Sequence, residues 1–437
     1  MTSTYLPSEV NQLIVKYTKY SVKLLNSIWS DDDLIDFYKN YKLDVESLGF
    51  QFQGSPRYPD HTKFKKLNNV NDTRYIHDDL HTIVFGTYFN RPVMLPKNLH
   101  TVTFGFEFNQ PITLPKNLHT LNWYSNQPII LPNSLWTVEF GFFFNQPVVL
   151  PNSLHSITFG WNFNQPVVLP ENLQSIIFGF EFNRPVVLPN SLRTIVFGHR
   201  FNQPIVLPGN LHTIKFGKNF NQSVTLPKNL HTVDFGKYFN RPVALPKNSH
   251  TIKFGRDFNQ SVVLPENLHC VEFGSAFTQP IILPKNLRNL TWCSNKSIVL
   301  PENLDYVGFG IDFDQPVILP KSLRTVEFGC WFNQPVVLPE NLHSVAFENY
   351  FNQPVVLPKN LRKLNWAPNR PVVLSENLHC VLFGWEFNQP IVLPDSLHYV
   401  KFGLSFNQPI VLPDNLKLIY FNKDHLQKVG NKLISKN

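Results

Sequence analysis

The sequence predicts a mainly β protein, a parallel β-solenoid of about 18 coils with a small α-helical cap at its N-terminal end. Three observations carry this. A phrase well shown by Leu154–Pro170, LHSITFGWNFNQPVVLP, recurs with a 19-residue period from about Asp79 to Phe421. Within it Ile157 and Phe159 alternate with variable residues, the period of a half-buried strand. Prolines such as Pro166 and Pro170 bracket a short apolar run in most copies, which forbids a helical return. That run is expected to be extended, as a short strand or a polyproline-like stretch.

In chain order, residues 1–45 read as a helical segment, with apolar spacing through Leu6, Val10, Leu13, Ile14 and Tyr17 and again through Val22, Leu25, Ile28 and Trp29. Asp31, Asp32 and Asp33 are suited to cap a second helix over 34–41. Residues 46–78 read as a linker or a degenerate first coil, 79–422 as the solenoid and 423–437 as a C-terminal cap, with a short closing helix over 424–434.

Each copy carries an asparagine at one place: Asn90, Asn109, Asn145, Asn164, Asn183, Asn202, Asn333, Asn352, Asn388 and Asn407 among others. An asparagine in a buried turn can satisfy backbone donors and acceptors, so stacked copies are expected to form a structural ladder. Thr278 and Asp314, which replace it once each, should mark weaker rungs. Three copies are two residues short and end at Asn126, Asn295 and Asn369. In them two Phe are replaced by one Trp (Trp123, Trp292, Trp366), consistent with one larger ring filling a shared core.

Leu154, Ile157 and Phe159 follow the L-x-x-L-x-L spacing of leucine-rich repeats. Phe-Asn-Gln-Pro-Ile, as in 201–205 and 406–410, resembles the FNIP repeat, an LRR-related family of slime moulds and large amoeba-infecting DNA viruses. The resemblance implies an LRR-like fold and protein binding. Proteins of that family sometimes carry an N-terminal F-box, and Leu6, Pro7, Glu9, Leu13 and Ile14 resemble the opening of an F-box helix. The segment closes near Tyr41, shorter than an F-box, and Leu-Pro-x-Glu is also an ordinary helix start. The resemblance implies that these five residues dock Skp1 of a cullin ubiquitin ligase; otherwise the segment is a cap on a structural scaffold.

Composition limits the remaining choices. With 39 Phe and only 16% charged residues the chain is not disordered. No run of 18 apolar residues and no signal-peptide core are present, so an intracellular, cytoplasmic protein (host cytoplasm if viral) with no membrane partner is expected. The net charge of +8 comes from basic residues dispersed beside acids, as in Lys228, Lys247, Glu266, Lys285 and Glu302. That pattern forms no basic stripe, and nucleic acid is not the expected partner.

Sequence motifs for catalysis are missing: there is no Gly-rich phosphate loop, no G-x-S-x-G and no H-E-x-x-H. A carbohydrate-cleaving β-helix would need clustered acids, yet Glu139, Lys215, Asp234 and Lys253 share one place in different copies. No catalytic residue, cofactor or metal is expected. Stacked histidines such as His212, His231, His250 and His269 would suit zinc or pH sensing, but Arg193, Gln174 and Trp136 share their column, which reads as polar and solvent-facing. Cys270, Cys293, Cys330 and Cys380 lack metal spacing and read as small fillers.

The informative positions vary while the frame holds. Phe106, Phe142, Trp161, Phe180, Trp331 and Trp385 lie in the pair after the recurring Gly, outside the core ladder. Large aromatics at such places mark a protein-binding surface or else shield the Phe ladder.

Overall fold

The computed structural model describes residues 66–435 apart from Asp72, Arg74, Tyr75, Asn422, Lys423 and His425. The expected helical segment 1–45, with its five Skp1-docking candidates, lies outside the described residues. The chain divides into two compact units, Met1–Gly179 and Phe180–Asn437. No helix among the described residues is long and apolar enough to cross a membrane.

In the first unit the strand Lys66–Val70 pairs in parallel with Thr82–Phe85. The register slips between Leu67 and Val70, where Asn69 takes a positive φ of 55°. Asparagine is one of the few residues that adopts this conformation readily. From there Thr82 pairs with Thr101, Thr101 with Thr120, Thr120 with Thr137, and Thr137 with Ser156. Each coil therefore adds one parallel strand in unchanged register.

Alternation decides which residues fill the interior. Leu154, Ile157, Phe159 and Phe163 are all buried, while Ser156 and Thr158 face outward. The rings of Phe159 and Phe163 stack at 3.9 Å, and each also stacks on its counterpart one coil away, at 5.6 Å to Phe140 and 6.1 Å to Phe144. Offset aromatic pairs of this kind contribute ~0.5–1.5 kcal/mol each beyond the area they bury. Because each interior face is completed only by the next coil, stability is a property of the stack.

The second unit repeats this plan. Thr213 pairs with Thr232, Thr232 with Thr251 and Thr251 with Cys270, and the parallel pairing runs on to Leu418–Tyr420. Most full-length coils leave the strand through a glycine. A Cβ on Gly236 would lie 1.7 Å from the carbonyl oxygen of Gly217, so the coils approach as closely as they do only without side chains there.

The short copies do more than exchange ring volume. Trp123 and Trp292 are buried, and their indole N–H groups donate to the carbonyls of Gln127 and Lys296 at 3.0 and 2.9 Å. The buried Ser125 donates its hydroxyl to the carbonyl of Phe108 at 2.6 Å and accepts the amide of Gln127 at 3.0 Å. The tightened turn thus satisfies its own backbone groups, as burial demands.

The asparagines accept across coils. Asn145 Oδ1 receives the backbone N–H of Asn164 at 2.9 Å and the side-chain amide of Gln165 at 3.2 Å, and Asn183 treats Asn202 and Gln203 the same way. The same acceptor role belongs to Asn90 toward Asn109, Asn333 toward Asn352, and Asn388 toward Asn407. Asp314, expected to weaken the row, is a full rung, because the bond uses only an acceptor oxygen that Asp also carries. A second row, absent from the sequence reading, lies at the Pro-x-Asn/Ser-Leu turn. There Asn172 Nδ2 donates to the carbonyl of Asn152 at 3.1 Å, and Ser153 Oγ to that of Leu135 at 2.6 Å.

The expected closing helix over 424–434 is replaced by an antiparallel hairpin of Leu426–Val429 and Lys432–Ser435. Its turn is Gly430-Asn431, with Gly430 at φ 57° in the first central position, a turn that matches strand twist. Leu433 pairs with Ile410, and the amide of Leu412 donates to the carbonyl of Asn431 at 2.7 Å. Gly430 would weaken a helix here, and the chain instead meets an open backbone edge at Ile410–Val411.

Candidate partner-binding surface

The residue pair after each glycine lies in a tight turn tied to its neighbours by backbone bonds. Asn162 N–H donates to the carbonyl of Phe142 at 3.0 Å in the first unit, and Trp331 N–H to that of Ile311 at 3.0 Å in the second. The side chains of these turns are therefore held at fixed spacing, and the core Phe that follows anchors each turn from beneath.

In the first unit Phe106, Phe142 and Trp161 are exposed, and Phe142 stacks on Trp161 at 5.4 Å. Tyr88, which the sequence reading passed over, meets Phe106 edge-on at 6.3 Å. In the second unit Phe180 is half-buried, edge-on to His199 at 4.7 Å, with the Arg200 guanidinium 6.0 Å from its centroid. Arg200 is itself paired with Glu181 at 2.7 Å. Trp331 is 50% exposed and lies face to face with Tyr350 at 4.2 Å, and Trp385 is 67% exposed. Tyr350 also escaped the sequence reading, because Glu348 stands where the guiding glycine would be.

A hollow of about 680 Å³ adjoins this turn face in the second unit. Cys293, Ile311, Glu327, Cys330, Glu348 and Lys363 are among its walls, with Phe309 and Phe328 below. It arises where the outward strand position shrinks to Ala346. Two coils earlier the same position is Gly308, and a Cβ there would lie 2.6 Å from the Tyr306 hydroxyl. Tyr306 thus occupies the space Gly308 leaves and donates to Glu327 Oε2 at 3.1 Å. Burial and then the Glu327 carboxylate push its ionisation up to about 12.

Elsewhere on the strand face charges are matched from coil to coil. Lys215 pairs with Asp234 at 3.4 Å and Lys253 with Glu272 at 3.7 Å. The thiol of Cys293 is pushed up by burial and then by Glu272, and that of Cys270 by burial, against the pull of Lys253. Raised thiols are poor nucleophiles at neutral pH. The four cysteines are free and half-buried. Among the described residues no group of His, Cys, Asp and Glu could hold a metal ion. The histidine rows stack at 5.3 Å, as His212 on His231 and His231 on His250, with ring nitrogens of His212 and His231 bonded to the carbonyls two residues before them. In chemistry the surface offers aromatic faces, a shaped hollow and matched charges.

The FNIP repeat family matches residues 144–181, 166–200, 182–219 and 201–238. Among solved structures, CroV588, described as a novel circular LRR protein and coming from a giant virus, is 31% identical over 84% of this chain and 73% of its own, with a TM-score of 0.59. YopM from Yersinia enterocolitica WA-314 is 18% identical over 78% of this chain and 91% of its own, with a TM-score of 0.48. No curated protein matches the chain. The repeated phrase, the parallel coils, the FNIP-repeat match and the likeness to CroV588 together place the chain in the FNIP-repeat family of LRR-like solenoid proteins.

Proposed function

We propose that this chain is a non-enzymatic protein-binding solenoid that captures its target on the turn-and-hollow surface of the second unit. The observation that carries the reading is Trp331, half exposed and stacked on Tyr350 beside the hollow walled by Cys330 and Glu348. A stacked aromatic pair on a hydrogen-bonded turn loses little entropy on binding, and Trp and Tyr dominate binding hot spots. Phe106, Phe142, Trp161, Phe180 and Trp385 extend the same chemistry to other coils. The finer reading is that the chain is an intracellular substrate-recognition subunit of a Skp1–cullin ubiquitin ligase, with Leu6, Pro7, Glu9, Leu13 and Ile14 docking Skp1. It is supported by the F-box-like order of these residues ahead of a binding solenoid.

Affinity purification with mass spectrometry tests both parts. Substituting Trp331 and Tyr350 by Ser should lose the target while Skp1 and cullin remain. Deleting residues 1–45 should do the reverse. A target retained by the double variant overturns the binding surface, and absence of Skp1 from the wild-type sample overturns the ligase reading alone.

A further inference from the structure

The second unit carries an apolar row on the side away from its strands. In each coil from Val263 to Val392 the second apolar residue of the Pro-Val-Val-Leu run is Val or Ile, and its side chain is 86–90% exposed. Ile282, Val299, Ile318, Val337 and Val356 are successive members. The next residue in each run is buried, as at Leu264 and Leu319, or half-buried, as at Leu300, so packing within the coil does not require an aliphatic side chain at the outward one. Two residues earlier stands an exposed Pro or Ser. An apolar row of this length exceeds what monomeric surfaces ordinarily leave in water.

A second row runs along the corner beside it. Glu266, Lys285, Glu302, Lys321, Glu340 and Lys359 are the first turn residue of successive coils, all exposed, and strictly alternate in sign. Alternation relieves repulsion down one column. Next to an apolar row it also specifies a partner, one with the same spacing and the opposite phase.

We propose that this face joins two copies of the chain, antiparallel about a two-fold axis that crosses the rows. Such a rotation keeps each corner row on the same flank as the partner's and reverses its order. With the axis between Glu302 and Lys321, Glu302 meets the partner's Lys321, Lys285 the partner's Glu340, and Glu266 the partner's Lys359. A shift of the axis onto a coil sets like charge against like, so the corner row excludes every register of that kind while the apolar row supplies contact area. A second copy has the repeat spacing needed to match the row coil for coil. Three exposed residues from each of the six coils that this axis pairs give 18 per side, near the lower end of the ~20–30 that a standard stable interface uses.

Sedimentation velocity on the full chain tests this. The wild type should dimerise, and two variants should each weaken dimerisation on the order of 100-fold: K285E/K321E/K359E, and E266K/E302K/E340K. Mixing the two should restore a dimer containing one of each. Substituting Val299, Ile318 and Val337 by Asn should weaken it as well, with circular dichroism unchanged because the side chains are exposed. Interfaces of this size range from ~µM to pM, so a wild type still monomeric at ~100 µM overturns the proposal. So does a dimer that the charge variants leave intact, or a mixture of them that stays monomeric.

Discussion

Asp314 Oδ1 accepts the backbone N–H of Asn333 at 2.9 Å, the bond that Asn Oδ1 makes in neighbouring coils. The row therefore depends on an acceptor oxygen at a fixed place and is indifferent to whether an amide or a carboxylate carries it. Asn202, which accepts from Asn221 and Gln222, should tolerate Asp with little change in stability. Replacement by Ala should cost about 1–3 kcal/mol, since the Asn221 N–H loses its partner and Gln222 keeps only the Asn202 carbonyl. Equilibrium urea unfolding of both variants measures the difference, and equal losses would contradict it.

Two glycines in the second unit should respond oppositely to alanine. At Gly236 the added carbon meets a carbonyl oxygen at 1.7 Å, so the coils must separate and stability should fall by about 1–3 kcal/mol or more. At Gly209 nothing lies within 4 Å of the added carbon. There alanine should be neutral or stabilise by up to ~1 kcal/mol through the unfolded chain. Thermal melts of the two variants decide this.

Replacing Trp292 by Phe should leave the carbonyl of Lys296 without its indole donor and open space among Phe273 and Phe277. A loss of roughly 2–3 kcal/mol is expected from the missing bond and the void together. The reverse change at an ordinary coil's Phe, such as Phe254 to Trp, should also destabilise, since no shortened turn is there to receive the N–H.

Tyr306 should titrate about two units above an ordinary tyrosine, which ionises near 10, because burial and Glu327 disfavour the phenolate. Its folded-state value is raised, so the protonated form belongs to the folded protein. The stability it adds is intact below pH 10 and is lost as the pH rises toward about 12. The difference in ultraviolet absorbance between wild type and Tyr306→Phe across that window reads the ionisation directly. Glu327→Gln should move it downward.

Cys293 should react slowly with iodoacetamide at pH 8, its thiol being raised by burial and by Glu272. Glu272→Gln should lower it and quicken alkylation, as followed by mass spectrometry. An unchanged rate would assign the protection to burial alone.

The fold was legible because one phrase repeated with its errors shows its own grammar. Period-2 alternation around Ile157 and Phe159 identified the buried side, and the paired prolines excluded helices. Two things were harder to see. The hairpin at 426–435 was masked by its helix-forming Leu, Gln and Lys residues, although Gly430-Asn431 carried the turn signal. The outward Val of each Pro-Val-Val-Leu run went unremarked because hydrophobicity alone does not distinguish two adjacent valines. Alternation from the buried Leu169 would have placed Val167 inward and Val168 outward. Tyr350 was missed for a different reason, since the search followed a glycine that this coil lacks.

The antiparallel hairpin has a consequence of its own. Every coil offers the next an identical set of donors and acceptors, which is the condition for open-ended growth, as in a polymer whose tip always accepts another unit. Pairing Lys432–Ser435 against Ile410–Val411 reverses strand direction and consumes that backbone edge. It acts as a plug on the return-segment side of the last coil, a short sequence unlike the repeat that denies that edge to an identical surface.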